Sequence, residues 1–390
     1  MPDFDAINIT KFYERQHVQK LLAANKETSA IFGRYIKRVT PIIQQYRYNK
    51  KGIVIRDPGL EKIITNETAK LKSELEQYIN AAKIDGWMLS EAKNNRIIDE
   101  WVDQMAASRI ESGTKWNEKA QQMFETGGMH QRNIQAMEQF MARKVSVMSL
   151  SDNVWKLAKN TKEQLEYYIE SGLATGRSAD VISRDIRQVL KDPDSRFRRV
   201  RNAAGKLVPS QPMADYHPGQ GVYRSAYQNA RRLARTEINM AYRSADMESF
   251  RNADMVLGYE VRLSNNHTAK DYDICDEAAG RYPKEFTFIG WHPNCRCYVV
   301  PILMTPEEFM AWNRGDAVSA QYQNDVPEGL KTWLNDHREE MAGWNKQPYF
   351  IQQNKGIVQR IYDGKKVIPV TKYVKQVNTF TPFAETYSMK

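Results

Sequence analysis

Apolar residues recur every three or four positions along most of this 390-residue chain, and every second position in only one stretch, 256–304. The first period is that of a helix face and the second that of a half-buried strand. The expected fold is therefore mainly α with a small β-containing Cys/His module, an α+β chain. Its length predicts several domains in an elongated, multi-domain arrangement. A hydrophobic content of 41% with 27% charged residues is a globular balance. The longest strongly apolar run, Tyr298–Met304, falls far short of the ~20 residues of a membrane span. The opening residues, MPDFDAIN, are acidic and carry no apolar core, so no secretory signal and a soluble, cytoplasmically made protein are expected.

The punctuation of the helical rhythm divides the chain. In the N-terminal region, 1–148, Phe12, Leu21, Leu22, Ile31, Phe32, Tyr35 and Ile36 form one helical face. Asp57-Pro58 joins a capping carboxylate to a proline at the first helical position, and Leu60, Ile63, Ile64, Leu71, Leu75, Tyr78 and Ile79 follow it. Further helices are expected near Ser90–Met105 and Asn117–Met141, the latter interrupted at Gly127-Gly128, with Trp87, Trp101 and Trp116 as core. Residues 149–255 read as a helical part. Val154 to Leu173 form one face, Ser178 caps a second helix ending before Pro193, and a long helix runs over Tyr223–Phe250. Between them, 192–222 is rich in proline and glycine and reads as an exposed arm or loop. In the module 256–304, strands are expected at Tyr259–Leu263, around Phe286 and Phe288, and at Tyr298–Val300, closed by Pro301. In 305–390, Thr305-Pro306-Glu307-Glu308 starts helices running to about Trp344, and the last 35 residues read as an extended tail. No internal repeat or low-complexity tract is present.

Charge and cysteines supply the candidate sites. The chain carries a net +10. Residues 196–251 hold 11 basic and four acidic side chains, so +7 of that lies in one segment. The run Arg196, Arg198, Arg199, Arg201 and Lys206 is a candidate nucleic-acid contact, of the phosphate-binding kind that reads no sequence. It has a solvated loop or an acidic protein neighbour as alternatives. Metalloprotease, hydrolase-elbow and P-loop motifs are absent from the sequence. The zinc-deaminase pattern is broken at His292-Pro293-Asn294 and at Cys295-Arg296-Cys297. All three cysteines, Cys275, Cys295 and Cys297, fall within 23 residues, with His292 three places before Cys295. Thiolates and an imidazole suit tetrahedral zinc, although C-x-C is a tighter chelate than the usual spacing. A disulfide and unliganded buried thiols stand beside that reading. Pairing of the strands before Cys275 and after Cys297 is expected to close the loop that holds them.

The strings RLARTEINMAYRSADMESF and DYDICDEAAGRYPKEFTFIGWHPNCRC, after the segment that begins LSDNVWKLAKN, resemble the phage Mu F-like minor head proteins, also called phage head morphogenesis proteins. Ala234, Arg235, Thr236, Glu237, Asn239 and Ala241 match the family's "ARTE-N-A" helix. Cys275, Gly280, Phe286 and His292 to Cys297 match its "C…G…F…HPNCRC" tail. The likeness covers residues 149–304, about 40% of the chain. It departs from the family at 276–279, where many members carry a second cysteine; His292 or Asp273 is then the candidate fourth ligand. The resemblance implies a non-enzymatic minor capsid protein with a role in head assembly or DNA packaging and ejection. It would be associated with the portal and other head proteins and lie near packaged double-stranded DNA. It would be found in the virion and, during assembly, in the host cytoplasm. Some F-like domains are fused to ADP-ribosyltransferase toxins, which makes a toxin-delivery module the alternative, with a non-specific DNA-binding protein as a third reading.

Overall fold

The computed structural model describes residues 5–43, 45–47, 57–113, 115–118, 120–121, 133–143, 150, 152–154, 156–159, 161–162, 199–201, 205, 207–209, 226–264, 273–315, 322–344 and 347–368. As the two periods predict, it is mainly helical with a small antiparallel sheet. Two compact units are assembled from separated stretches. One comprises His17–Gly86 and Glu138–Asn239; the other comprises Met1–Gln16, Trp87–Met137 and Met240–Lys390.

The first unit is built on helices α1 (Ala6–Ile43), α2 (Pro58–Ser112) and α4 (Ala226–Asn252), with α3 (Ile134–Ala142). Asp57 starts α2 as expected, its carboxylate accepting from Gly59 N at 2.8 Å and Leu60 N at 3.2 Å. Ile31, Phe32, Tyr35 and Ile36 of α1 pack with Leu60, Ile64, Leu71, Leu75 and Ile79 of α2 and with Ala230 and Ala234 of α4. Alanines on α4 permit that close approach. Phe12, Leu22 and Ile63, chosen by the same rhythm, remain exposed. The separate helix expected at Ser90–Met105 is instead a continuation of α2, which runs for 55 residues. Nothing between the two rhythms breaks a helix except Gly86, and one interior glycine is tolerated at a cost of about 1 kcal/mol.

Glu237 of α4 is buried in this unit between Arg143 Nη2, at 2.9 Å, and Lys83 Nζ, at 3.6 Å. Lys83 is only 1% exposed, and burial pushes its pKa down to about 8, with Glu237 opposing the shift and Arg143 adding to it. Asn239 Oδ1 lies 3.0 Å from His17 Nε2. These are the acidic and amide positions of the ARTE-N string.

The other unit holds the sheet. Strands β3 (Val256–Arg262), β4 (Gly280–Tyr282) and β5 (Tyr298–Leu303) are ordered β4-β3-β5, all antiparallel. The expected pairing of the strands that bracket the cysteines is present, running from Val256↔Leu303 to Arg262↔Tyr298. Two strand expectations need correction. Pro301 does not close β5 but pairs with Tyr259 inside it, which an edge strand allows because its outer face needs no N–H donor. Phe286 and Phe288 are fully buried but form no strand. The backbone of the intervening Thr287 is served instead by a side chain: Thr287 N donates to Asn354 Oδ1 at 2.7 Å, and Asn354 Nδ2 donates to Thr287 O at 2.9 Å.

Helix α5 (Ile274–Glu277) leads into β4, and α6 (Pro306–Arg314) begins at the expected Thr305 with a complete capping box. Then follow α7 (Glu328–Asp336), α8 (Arg338–Ala342), α9 (Tyr349–Gln353) and α10 (Lys355–Tyr362). The last of these, α10, overturns the expected extended tail up to residue 368: Val358, Ile361, Val367 and Ile368 are buried in the core around the sheet, beside Phe350 and Ile351 of α9. That core also receives Ile98, Trp101 and Met105 from α2. Residues 369–390, the second helix of 178–190 and Gly127-Gly128 lie outside the described residues.

A second ion cluster fixes the helices of this unit. Arg243 Nη1 and Nη2 donate to the two oxygens of Glu14 at 2.6 Å each, and Lys93 Nζ lies 2.7 Å from Asp246, which also accepts from Ser90 and Asn94. Two cations and two anions cancel. Arg243 is therefore removed from the surface charge that the count over 196–251 suggests.

Lys83 makes the pH dependence testable. With a folded pKa near 8 and an ordinary value of 10.5, the unfolded chain holds this proton more tightly between those values, so its contribution to stability rises with pH across that window. Between pH 7.5 and 9.5 the protein is expected to gain about 2 kcal/mol relative to Lys83→Met. Urea unfolding of both proteins at the two pH values checks this, and parallel shifts would refute it.

Candidate metal centre

Three local devices assemble the Cys/His cluster. The first is the β3–β5 ladder, which brings the ends of 263–297 together. The second is the start of α5, where Asp273 caps the helix by accepting from Cys275 N at 2.7 Å and Asp276 accepts from Asp273 N at 2.9 Å. This reciprocal cap sets Cys275 at the second helical position. The third is the turn His292-Pro293-Asn294-Cys295, in which Cys295 N donates to His292 O at 3.0 Å. Proline in its second place and Asn294 at φ +66° in its third follow the pattern of a type II turn. Asparagine accepts that left-handed geometry more readily than other side chains bearing a Cβ. The string HPNC is thus a turn that folds His292 back over Cys295.

The donor atoms converge. Cys275 Sγ lies 3.1 Å from His292 Nε2 and 3.9 Å from Cys295 Sγ. The donor atoms of Cys275, His292 and Cys295 all fall within 4.8 Å of one another. With metal–sulfur bonds near 2.3 Å and metal–nitrogen bonds near 2.05 Å, tetrahedral edges are about 3.8 Å for S–S and about 3.6 Å for S–N. These three residues fit a metal ion such as zinc. His292 Nδ1 donates to Pro293 O at 2.9 Å, which fixes the ring and turns Nε2 towards the sulfurs. Asp273 Oδ2 lies 3.2 Å from the same Nε2.

All three thiols are free and buried. They do not ionise alike. The hydrogen bond from Cys275 holds Cys295 well below the usual thiol range, whereas sharing with Cys295 pushes Cys275 up. Cys297 also interacts with both; its contact with Cys275 favours the thiolate but is outweighed by Cys295 and burial, so it too is raised. Of the three, Cys295 is therefore the thiol whose surroundings most favour ionisation, and a thiolate is the form that binds metal.

Of the four ligands expected from sequence, the structure brings Cys275, His292 and Cys295 into one mutual set, and Cys297 lies outside it. The basic run is only partly described: Arg199 and Arg201 lie in β1 (Arg199–Arg201), which pairs antiparallel with β2 (Leu207–Pro209). This replaces part of the structureless excursion with a hairpin. Arg196, Arg198 and Lys206 lie outside the described residues. Comparison with models of protein families, with curated proteins and with solved structures finds no match.

Sequence reasoning missed the support beneath Cys275. Helix α7 packs on α5 so closely that a Cβ at Gly329 would collide with the backbone carbonyl of Glu277. That obstacle is main chain and cannot rotate away. Gly329→Ala is expected to cost about 1–3 kcal/mol and to speed the reaction of Cys275 with a thiol reagent. Denaturant unfolding and timed thiol labelling measure both; unchanged values would show that the packing yields.

Proposed function

We propose that this chain is a structural protein of a tailed-phage or prophage head, a minor component associated with the portal and working in head assembly or in DNA packaging and ejection. The observation that carries the reading is the ordered pair of strings, ARTE-N-A at 234–241 and HPNCRC at 292–297, which resembles the Mu F-like minor head proteins. What these residues do in the fold supports a structural role for both strings. Glu237 and Asn239 hold buried partners. Cys275 and Cys295 lie in a core that includes Tyr259, Tyr282, Phe286 and Trp291, with the half-exposed His292 beside them. The alternative, a transferase toxin carried after Met304, is disfavoured because the described residues of 306–368 complete the core around the sheet. The triplet Arg235-Thr236-Glu237 is likewise committed to helix packing through its glutamate.

In this reading, Cys275, His292 and Cys295 hold a zinc ion that staples the loop 263–297 to the sheet. Zinc has no redox role in such a site; it contributes folding energy. The protein would act in the virion, at the portal vertex or capsid interior, after assembly in the host cytoplasm. Purified heads or portal complexes are expected to retain the chain at a few copies each, seen by co-purification and by electron cryo-microscopy. Recovery only as free protein, never with heads or portal, would end the proposal.

Contact with packaged DNA belongs to the same reading and falls to the arginines at and before β1. No helix among the described residues is long and apolar enough to cross a membrane, and a surplus of arginine beside a duplex binds phosphates without reading bases. Each phosphate contact contributes about 0.9 to the slope of log affinity against log salt. Changing Arg196, Arg198, Arg199 and Arg201 together to alanine is expected to flatten that slope by up to about 3.6. A duplex-binding titration over a salt series measures it, and an unchanged slope would assign these arginines elsewhere.

A further inference from the structure

Resting on the DNA-contact reading above, we propose that the outward face of α1 is a second docking surface for duplex DNA, held through the phosphates. Helix α1 carries seven basic side chains and two carboxylates. Three of the cations are committed within the fold: Lys20 Nζ lies 3.7 Å from Asp85, Arg34 Nε 2.9 Å from Glu74 and Arg38 Nε 2.6 Å from Glu67. Both carboxylates are committed as well, Glu14 to Arg243 and Glu27 to Arg34. Lys11, Arg15, Lys26 and Lys37 remain. All are exposed, and none has an ion-pair partner among the described residues. At about 100° per residue they fall within an arc of about 80°, and Arg15, Lys26 and Lys37 recur at 11-residue intervals. The arc is opposite the side on which Leu21, Ala24, Ile31, Phe32 and Tyr35 are buried.

The row of cations is straight and about 39 Å long, from the helical rise of 1.5 Å per residue. Like charges on one helix face oppose helix formation, so the row contributes nothing to the stability of α1 itself. It matches an anion that is also straight and evenly charged. A duplex presents one negative charge per ~1.7 Å of its axis, or about 23 along such a row. Between the cations stand Gln19, Ser29 and Gly33, with Leu22 as the one large apolar side chain in the arc and Phe12 at its edge. A protein interface is built round a more apolar and aromatic centre. A helix that lies on a membrane needs a broad apolar face to insert, and that face of α1 is packed in the core with α2 and α4. The arginine-rich segment 196–251, by contrast, offers less than its count suggests. Arg231 donates to Asn25 at 3.2 Å, Arg243 to Glu14 and Arg251 to Thr287.

The test compares the full-length chain with a variant carrying Lys11→Gln, Arg15→Gln, Lys26→Gln and Lys37→Gln, each titrated over a salt series with a duplex longer than the row. Glutamine matches lysine and arginine in helix propensity, so denaturant unfolding of the variant should be unchanged. The expected result is a fall in the slope of log affinity against log salt of up to about 3.6, with up to about 1.8 from each of the pairs Lys11/Arg15 and Lys26/Lys37. An unchanged slope in the folded variant overturns the α1 surface and leaves the contact through the arginines at β1 standing. A loss of binding seen with phosphatidylserine vesicles or with polyglutamate, and not with the duplex, overturns it in favour of a membrane or an acidic protein. Failure of the unaltered chain to bind duplex at all ends the DNA reading itself.

Discussion

Closing residues 263–297 into a loop between β3 and β5 costs chain entropy that grows only slowly with loop length, and the sheet offsets that cost by burying Tyr259, Val261 and Val299 on the ladder itself. Everything in the Cys/His cluster follows from that closure. With the ends joined, Cys297 stands at the foot of β5, the HPNC turn lies just before it, and the capped start of α5 carries Cys275 back against that turn. Neither cap nor turn could place a thiol beside an imidazole alone. Each orients its own residue, and the ladder supplies the distance.

The cluster does not stand on a small isolated core. Tyr259 and Tyr282 stack with ring centres 5.8 Å apart, Tyr282 meets Phe286 at 4.7 Å, and Trp291 meets Phe350 from α9 at 5.3 Å. The two tyrosine hydroxyls are paired: Tyr259 Oη donates to Phe286 O at 2.6 Å and Tyr282 Oη to Ala278 O at 2.5 Å. Burial of several aromatic side chains, each worth about 1.5–3 kcal/mol, means that a metal bound here would add to a core that the described residues already form. The ordering of His292, the half-exposed member, is where an ion would add most.

Helix α4 carries buried charge in both units, and in each the solution is pairing. Glu237 meets Lys83 and Arg143 in one; Arg243 and Asp246 meet Glu14 and Lys93 in the other. Such clusters add little net stability over an apolar replacement, but removing one partner costs about 3–5 kcal/mol because a charge is left buried alone. They therefore act against misregistered packing of helices whose apolar faces, rich in alanine and leucine, would slide with little penalty.

Local signals were strong enough to read wherever a residue's role is set by its near neighbours in the chain. Asp57, Thr305 and the change of period at 256 needed no tertiary information, because caps and periodicities act over three or four residues. The convergence of Cys275, His292 and Cys295 was legible too, through strand pairing that alternation already suggested. What sequence could not reveal was long-range. Asn354, not a strand, serves Thr287; Pro301 is allowed because β5 lies at an edge; Gly329 makes room for the Glu277 carbonyl; and Arg243 spends its charge on Glu14. In each case the deciding partner lies tens to hundreds of residues away, and only the folded chain brings together the atoms whose geometry and charge settle the outcome.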